Sequence, residues 1–241
     1  MRIIKYLFYG LGGLVVLAVL ALGAAMVIVD GAFVKGRLER MMKEEKQRTL
    51  RIEGEPKLSL FPKLALSLGK TTLSERASEK EFLSLESMSV AVGVMPLLSR
   101  EVAVDAFSIV GFKVNVVRAK DGSLNVADLA APPAGRPETP HAEEQAPPKV
   151  RIAEVRIEHA QLAYRDEKTG QELRVNELNL KTGRLEDDMP SDISFSAHVT
   201  GKRPDSDLRA QLTGTANLNL VKRTFALARL DGKVSGSAAA V

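Results

Sequence analysis

The chain repeats itself. Residues 102–122 read VAVDAFSIVGFKVNVVRAKDG, and 48 residues later 150–170 read VRIAEVRIEHAQLAYRDEKTG. Val102 and Val104 map onto Val150 and Ile152, Phe107 and Ile109 onto Val155 and Ile157, and Val114 and Val116 onto Leu162 and Tyr164. Each copy closes on a glycine, Gly122 and Gly170. Its core, apolar-x-apolar-x-x-apolar-x-apolar, recurs at 83–90 (LSLESMSV) and 173–180 (LRVNELNL). A fixed internal period points to stacked units rather than one closed globule.

Alternation with period two is the signature of a β-strand with one apolar and one polar face. The extra residue in the middle of the unit would send its second half to the wrong face of a regular strand. A β-bulge, or a sharp turn between two short strands, restores a single apolar face and adds twist. The sequence therefore predicts a mainly β protein with a curved, elongated, one-sided antiparallel sheet forming a groove. An ordinary two-sheet sandwich has the same periodicity and stays open as an alternative.

Residues 6–29 (YLFYGLGGLVVLAVLALGAAMVIV) carry no charge. At 1.5 Å per residue they reach about 36 Å, enough to cross a ~30 Å hydrocarbon core as one helix. Small residues at Gly23, Ala24 and Ala25 offer a signal-peptide reading, but the apolar run continues past them, which favours a retained anchor. Lys and Arg flank the span on both sides (Arg2 and Lys5 before; Lys35, Arg37, Arg40 and Lys43 after), so charge alone sets no orientation. Residues 30–49 read as a basic amphipathic helix with Val34, Leu38 and Met41 on one face. It either lies on lipid headgroups or packs on the first sheet and covers its edge, the reading we prefer.

The expected organisation is then a cytoplasmic tip and transmembrane helix (1–29), the amphipathic helix (30–49), a first β-groove segment (50–130), a disordered linker (131–149) and a second, incomplete β-groove segment (150–241). The linker, APPAGRPETPHAEEQAPPK, holds six of the chain's eleven prolines. Pro62 lacks a ladder donor and belongs at an edge or corner. Residues 95–100 break the alternation, and Asp121-Gly122 is a tight-turn pair.

Chemistry is hard to place on this chain. There is no cysteine, which removes disulfides, thiol nucleophiles and most structural zinc sites. His141, His159 and His198 have no second ligand at a metal spacing. Asp187-Asp188 and Glu143-Glu144 sit in polar turns or linker, where solvated acidic loops are the ordinary outcome. No nucleophile elbow, phosphate loop or dinucleotide turn occurs. Basic clusters with aromatic platforms, which nucleic acid would need, are missing from the β regions. The expectation is a non-enzymatic protein without cofactor.

The N-terminal span running into VDGAF, the stretch 50–74 (LRIEGEPKLSLFPKLALSLGKTTLS) and the stretch 82–129 ending in DGSLNVADL resemble the N-terminal region of the AsmA family. The SLFP-x-L-x-L-x-LG and PLLS-x-x-x-x-V segments are the most specific parts, and 162–185 is similar to the family's next unit. The resemblance implies a Gram-negative envelope protein held in the inner membrane by one N-terminal helix, N-terminus in the cytoplasm and bulk in the periplasm. It further implies a part in outer-membrane biogenesis through a β-groove of the bridge-like lipid-transfer kind. Members are usually longer and carry a C-terminal AsmA region, so the resemblance suggests a fragment, a truncated product or a short paralogue.

On that basis phospholipid is the expected partner. Exposing a 16-carbon acyl chain to water costs on the order of 12 kcal/mol, which a continuous apolar lining would largely remove. The residues expected to line it are Leu58, Leu60, Leu66, Leu68, Leu85, Val90, Val104, Ile109, Val114, Val116, Ile152, Ile157 and Leu162. Each is equally well read as an ordinary core residue. The alternative function is an assembly or interaction factor, binding other envelope proteins by strand addition at a sheet edge.

Overall fold

A computed structural model describes residues 31–59, 63–98, 101–130, 149–219 and 224–239. The apolar run at 6–29, Leu60, Pro62, His141 and the Pro-rich stretch 131–148 lie outside the described residues. Among the described residues no helix is long and apolar enough to cross a membrane.

Among the described residues, fourteen strands form one open, curved sheet. They are β1 (Leu50–Ile52), β2 (Lys57–Ser59), β3 (Lys63–Leu68), β4 (Thr71–Ser74), β5 (Glu81–Leu85), β6 (Ser87–Gly93), β7 (Glu101–Val110) and β8 (Lys113–Arg118). After the Pro-rich stretch come β9 (Lys149–Ile152), β10 (Val155–Asp166), β11 (Glu172–Thr182), β12 (Pro190–Lys202), β13 (Ser206–Asn219) and β14 (Thr224–Ala238). Strands from both sides of that stretch share the one sheet. Among the described residues three helices accompany it: α1 (Gly31–Lys46), α2 (Val94–Leu98) and α3 (Ala127–Ala130). The segment that broke the alternation is α2.

The short strands are halves of longer chain passes. Leu68 pairs with Met88 and Thr71 with Leu85, so β3–β4 and β5–β6 form one ladder that keeps its register across a bend. Met88 pairs with Ile109 and Leu83 with Val114, so β5–β6 and β7–β8 do the same. The bends lie side by side, at Gly54, Lys70, Glu86 and Gly111. The line continues into β10 at His159 and β11 at Glu177, where the ladder skips a residue. Gly54, Gly111, His159 and Glu177 all take positive φ (76°, 65°, 54° and 51°). A crease thus runs across the sheet, and hydrogen bonds stitch it: Glu53 N–H to Lys70 O (2.8 Å), Glu86 N–H to Val110 O (3.0 Å), Gly111 N–H to Glu158 O (2.9 Å) and His159 N–H to Asn179 Oδ1 (3.0 Å).

The crease answers the problem set by the extra residue of the repeat. Leu83 and Leu85 lie on one side of Glu86, Met88 and Val90 on the other, and the bend returns both pairs to one face. Glu177 does this for the 173–180 copy. In the two long copies the extra residue sits lower. Asp105 bulges between the Val104 and Ala106 pairings, while in the second copy the chain breaks between β9 and β10. Both remedies open to the sequence are used.

The sheet is mixed rather than purely antiparallel, which corrects the sequence expectation. The two long repeats lie side by side in parallel: Val102 faces Val150, Phe107 faces Val155, Ile109 faces Ile157, Val114 faces Leu162 and Val116 faces Tyr164. The 48-residue offset of the sequence is the register of the pairing. A parallel pair needs a crossover of a dozen residues or more, and the chain from Ala119 through α3 and the Pro-rich stretch to Lys149 supplies it.

Helix α1 packs beside β1 with Val34 buried, and Ile52 N–H donates to Glu39 Oε1 at 3.3 Å, so the helix covers that edge of the sheet. Its last turn leads to Arg48, whose side chain is fully buried. Arg48 Nε and Nη2 donate to the two carboxylate oxygens of Asp128 at 2.7 Å, and Nη1 to Ser74 O at 2.8 Å. Nη2 also donates to Asn125 O, and the guanidinium lies 4.6 Å from the Phe82 ring centroid. This cluster fastens the end of α1 to β4, β5 and the start of the crossover.

Candidate functional site: the apolar face

Directly paired residues project to the same face of a sheet, so the registers trace rows of side chains. Above the crease one row reads Leu50, Leu73, Leu83, Val114, Leu162, Val175, Val199, Leu208. Below it a second row reads Leu68, Met88, Ile109, Ile157, Leu180, Phe195, Leu212. A third carries Leu58, Leu66, Val90, Phe107 and Val155, and a fourth Leu64, Val92, Val104 and Ile152. Every residue in these rows is apolar. Along the sheet order β1-β4-β5-β8-β10-β11-β12-β13 the first row covers eight strands, or about 34 Å at ~4.8 Å per spacing.

The opposite face is polar. On β12, Asp192, Ser194, Ser196, His198 and Thr200 alternate with Ile193, Phe195, Ala197 and Val199. His198 Nε2 lies 2.8 Å from Asp207 Oδ1 on that face. His159 occupies the crease. Among the described residues no three His, Asp or Glu side chains gather as a metal would require.

Burial changes along the rows. Leu64, Leu66, Leu85, Met88, Val90, Val92, Val104, Phe107, Ile109, Val155 and Leu185 form one buried cluster. Its members come from both sides of the crease, so the rows share one face. No second sheet opposes it among the described residues. A single layer buries one face by curling toward it, so the apolar face is the concave one. Beyond β10 the rows open: Val175, Leu178, Leu180, Ile193, Phe195, Val199, Leu208 and Leu212 are half-buried. On β14 the exposures reach 43% at Leu227, 50% at Leu230 and 63% at Val234.

The residues read from the sequence as a lining divide along this gradient. Leu66, Leu85, Val90, Val104 and Ile109 are buried in the cluster, and Leu58, Leu68, Ile152 and Ile157 pack at its margin. Val114, Val116 and Leu162 are half-exposed on β8 and β10. The most open part of the face, on β11 to β14, contributed none of them, although Ile193, Phe195, Val199, Leu208 and Leu212 alternate as clearly. Alternation locates the face; it does not tell packed positions from open ones.

The AsmA family model matches residues 1–238. The chain belongs to the AsmA family. A search of curated protein sequences finds no match. Membership covers nearly the whole chain and extends beyond the N-terminal residues that carried the resemblance. It suggests an envelope role related to the outer membrane. In this AsmA-family chain, the feature available for such a role is a sheet with one apolar and one solvated face, closed at β3–β7 and open toward β14.

Proposed function

We propose that this AsmA-family chain shields phospholipid acyl chains along its apolar face and serves lipid transfer in outer-membrane biogenesis. Residues 6–29 hold it in the inner membrane with the N-terminus cytoplasmic, and the sheet lies in the periplasm. It works without catalysis, cofactor or nucleic acid. The observation that carries this reading is the continuity of the rows. An acyl chain is long, apolar and without directional hydrogen bonds, so it is matched by a run of side chains rather than by a pocket. Soluble proteins rarely leave contiguous apolar surface uncovered unless something docks on it. The polar outer face keeps such a sheet dissolved while the inner face holds lipid.

The open half, centred on Leu180, Phe195, Val199 and Leu212, is where acyl chains make contact. The buried cluster at β3–β7 is the scaffold that fixes the curvature. Native mass spectrometry of the full chain, purified in gentle detergent, tests this. Co-purifying phospholipid is expected, reduced severalfold by Phe195→Asp with the fold intact by circular dichroism. A folded, lipid-free wild-type preparation sinks the proposal. Photocrosslinks from Leu180 or Leu212 to protein instead of lipid would favour the assembly-factor reading.

A further inference from the structure

The two ends of the strands are built from different side chains. At the end where α1 finishes, the turns are 75–80, 119–123, 167–171 and 203–205 (ERASEK, AKDGS, EKTGQ and RPD). They hold charged and small residues, and none is more apolar than alanine or proline. At the opposite end β6 is joined to β7 by α2 (VMPLL), which has no polar side chain, and Met95 on it is 71% exposed. Met189, the last residue of the connection from β11 to β12, is 55% exposed. The bridge from Ile152 to Leu185 places that connection at the α2 end too, since β9 lies beside the start of β7.

Helix α1 enters the fold from the α2 end. Gly31 packs on Pro56 O with no room for a Cβ, Lys35 Nζ donates to Gly54 O at 3.3 Å and Ile52 N–H to Glu39 Oε1. The helix therefore runs antiparallel to 50–56, and its first residue is directed away from the charged turns. Past Pro56, β2 carries the chain ~10 Å farther the same way, at ~3.3 Å per residue. Lys63, the first residue of β3, pairs with Gly93, so α2 starts at least that far along. Only Asp30 separates α1 from the uncharged run 6–29.

We propose that the α2 end of the sheet is seated in the phospholipid leaflet beside α1, with Met95 below the headgroups and the charged turns in water. This rests on the reading of residues 6–29 as the anchor. The hydrocarbon boundary then lies one residue before α1, under a headgroup layer roughly 5–8 Å thick. An end that reaches ~10 Å past the start of α1 crosses that layer. Apolar α2 gains by entering it, whereas a turn such as 75–80 would have to desolvate its charges. Asp187 and Asp188 keep the neighbouring Met189 turn at headgroup depth. Ile193 and Phe195 stand between that turn and the crease, so an acyl chain passes from the leaflet onto the open face without crossing water.

The chain has no tryptophan, so an introduced one reports without background. Full-length Met95→Trp and Lys120→Trp proteins are reconstituted in phosphatidylethanolamine–phosphatidylglycerol vesicles, with and without acyl-brominated phosphatidylcholine as a contact quencher. Both positions are exposed, so neither change disturbs packing, which circular dichroism checks. Met95→Trp is expected to lose most of its emission with the brominated lipid, and Lys120→Trp, on the 119–123 turn, none. Unchanged Met95→Trp emission in protein that floats with the vesicles overturns the docking and leaves the anchor standing. Protein that does not float with them overturns both. Quenching of Met95→Trp without quenching of Phe195→Trp leaves the docking standing while sinking the lipid reading.

Discussion

Arg118 and Asp166 are equivalent residues of the two long repeats, and they face each other at the ends of β8 and β10, with Nη1 3.3 Å from Oδ2. The Asp166 carboxylate is buried and also accepts from the amides of Lys168 and Thr169 at 2.8 and 3.1 Å. Burial alone would raise its pKa. The amides of Thr169 and Lys168 and the charge of Arg118 outweigh that and hold it below the ordinary carboxylate value. A lowered folded-state pKa adds stability that is present above the ordinary carboxylate range and lost as pH falls through the folded value. Asp166→Asn should therefore destabilise the protein at neutral pH and flatten the acid limb of its stability. Urea midpoints measured from neutral to acid pH check both; an unchanged acid limb would contradict the assignment.

Arg48 ties α1 to the crossover from a fully buried position, whereas its partner Asp128 keeps 14% of its side chain exposed. Removing one member of a buried pair leaves the other uncompensated, typically costing 3–5 kcal/mol, and the partial exposure of Asp128 places Arg48→Met near ~3 kcal/mol. Urea unfolding of the variant measures it. A loss below about 1 kcal/mol, the range of surface pairs, would show that the cluster is not the fastening described above.

The crease makes opposed predictions at the two strands on either side of β10. Glu177 takes a left-handed conformation that costs an L-residue ~1–2 kcal/mol, so Glu177→Gly should be neutral or stabilising by up to about 1 kcal/mol. Gly111→Ala should destabilise by more than that, because the new Cβ would add strain at φ 65° and come within 2.5 Å of the Glu86 side chain. Thermal unfolding of the two variants distinguishes them by sign.

The apolar rows should not respond uniformly to truncation. Phe107 is 3% exposed in the buried cluster, and Phe107→Ala should cost ~3–5 kcal/mol. Phe195 lies half-buried in the open part of the face, and Phe195→Ala should cost about 1 kcal/mol. Equal losses in denaturant titrations would mean that the face is packed along its whole length and that no open trough exists.

Much of this architecture was written locally. The one-sided strands, the four copies of the unit, the need for an extra residue to be absorbed and the helix at 31–46 all follow from alternation and spacing, which are properties of neighbours in the chain. The 48-residue period even contained the register of β8 against β10. What it left out was direction. Equivalent residues of two copies face each other only in a parallel pair, and the length of the crossover allows that pairing without announcing it.

The sequence by itself determined which residues share a face, because side-chain direction alternates along any strand whatever it packs on. Only the tertiary structure decided which parts of that face are core and which are surface. Val90 and Phe195 sit in equally clear alternation, yet one is sealed by the curl of β3–β7 and the other stands on the open sheet beyond β10. Curvature is set cooperatively by bends in adjacent strands, so it becomes visible only once those strands are placed side by side.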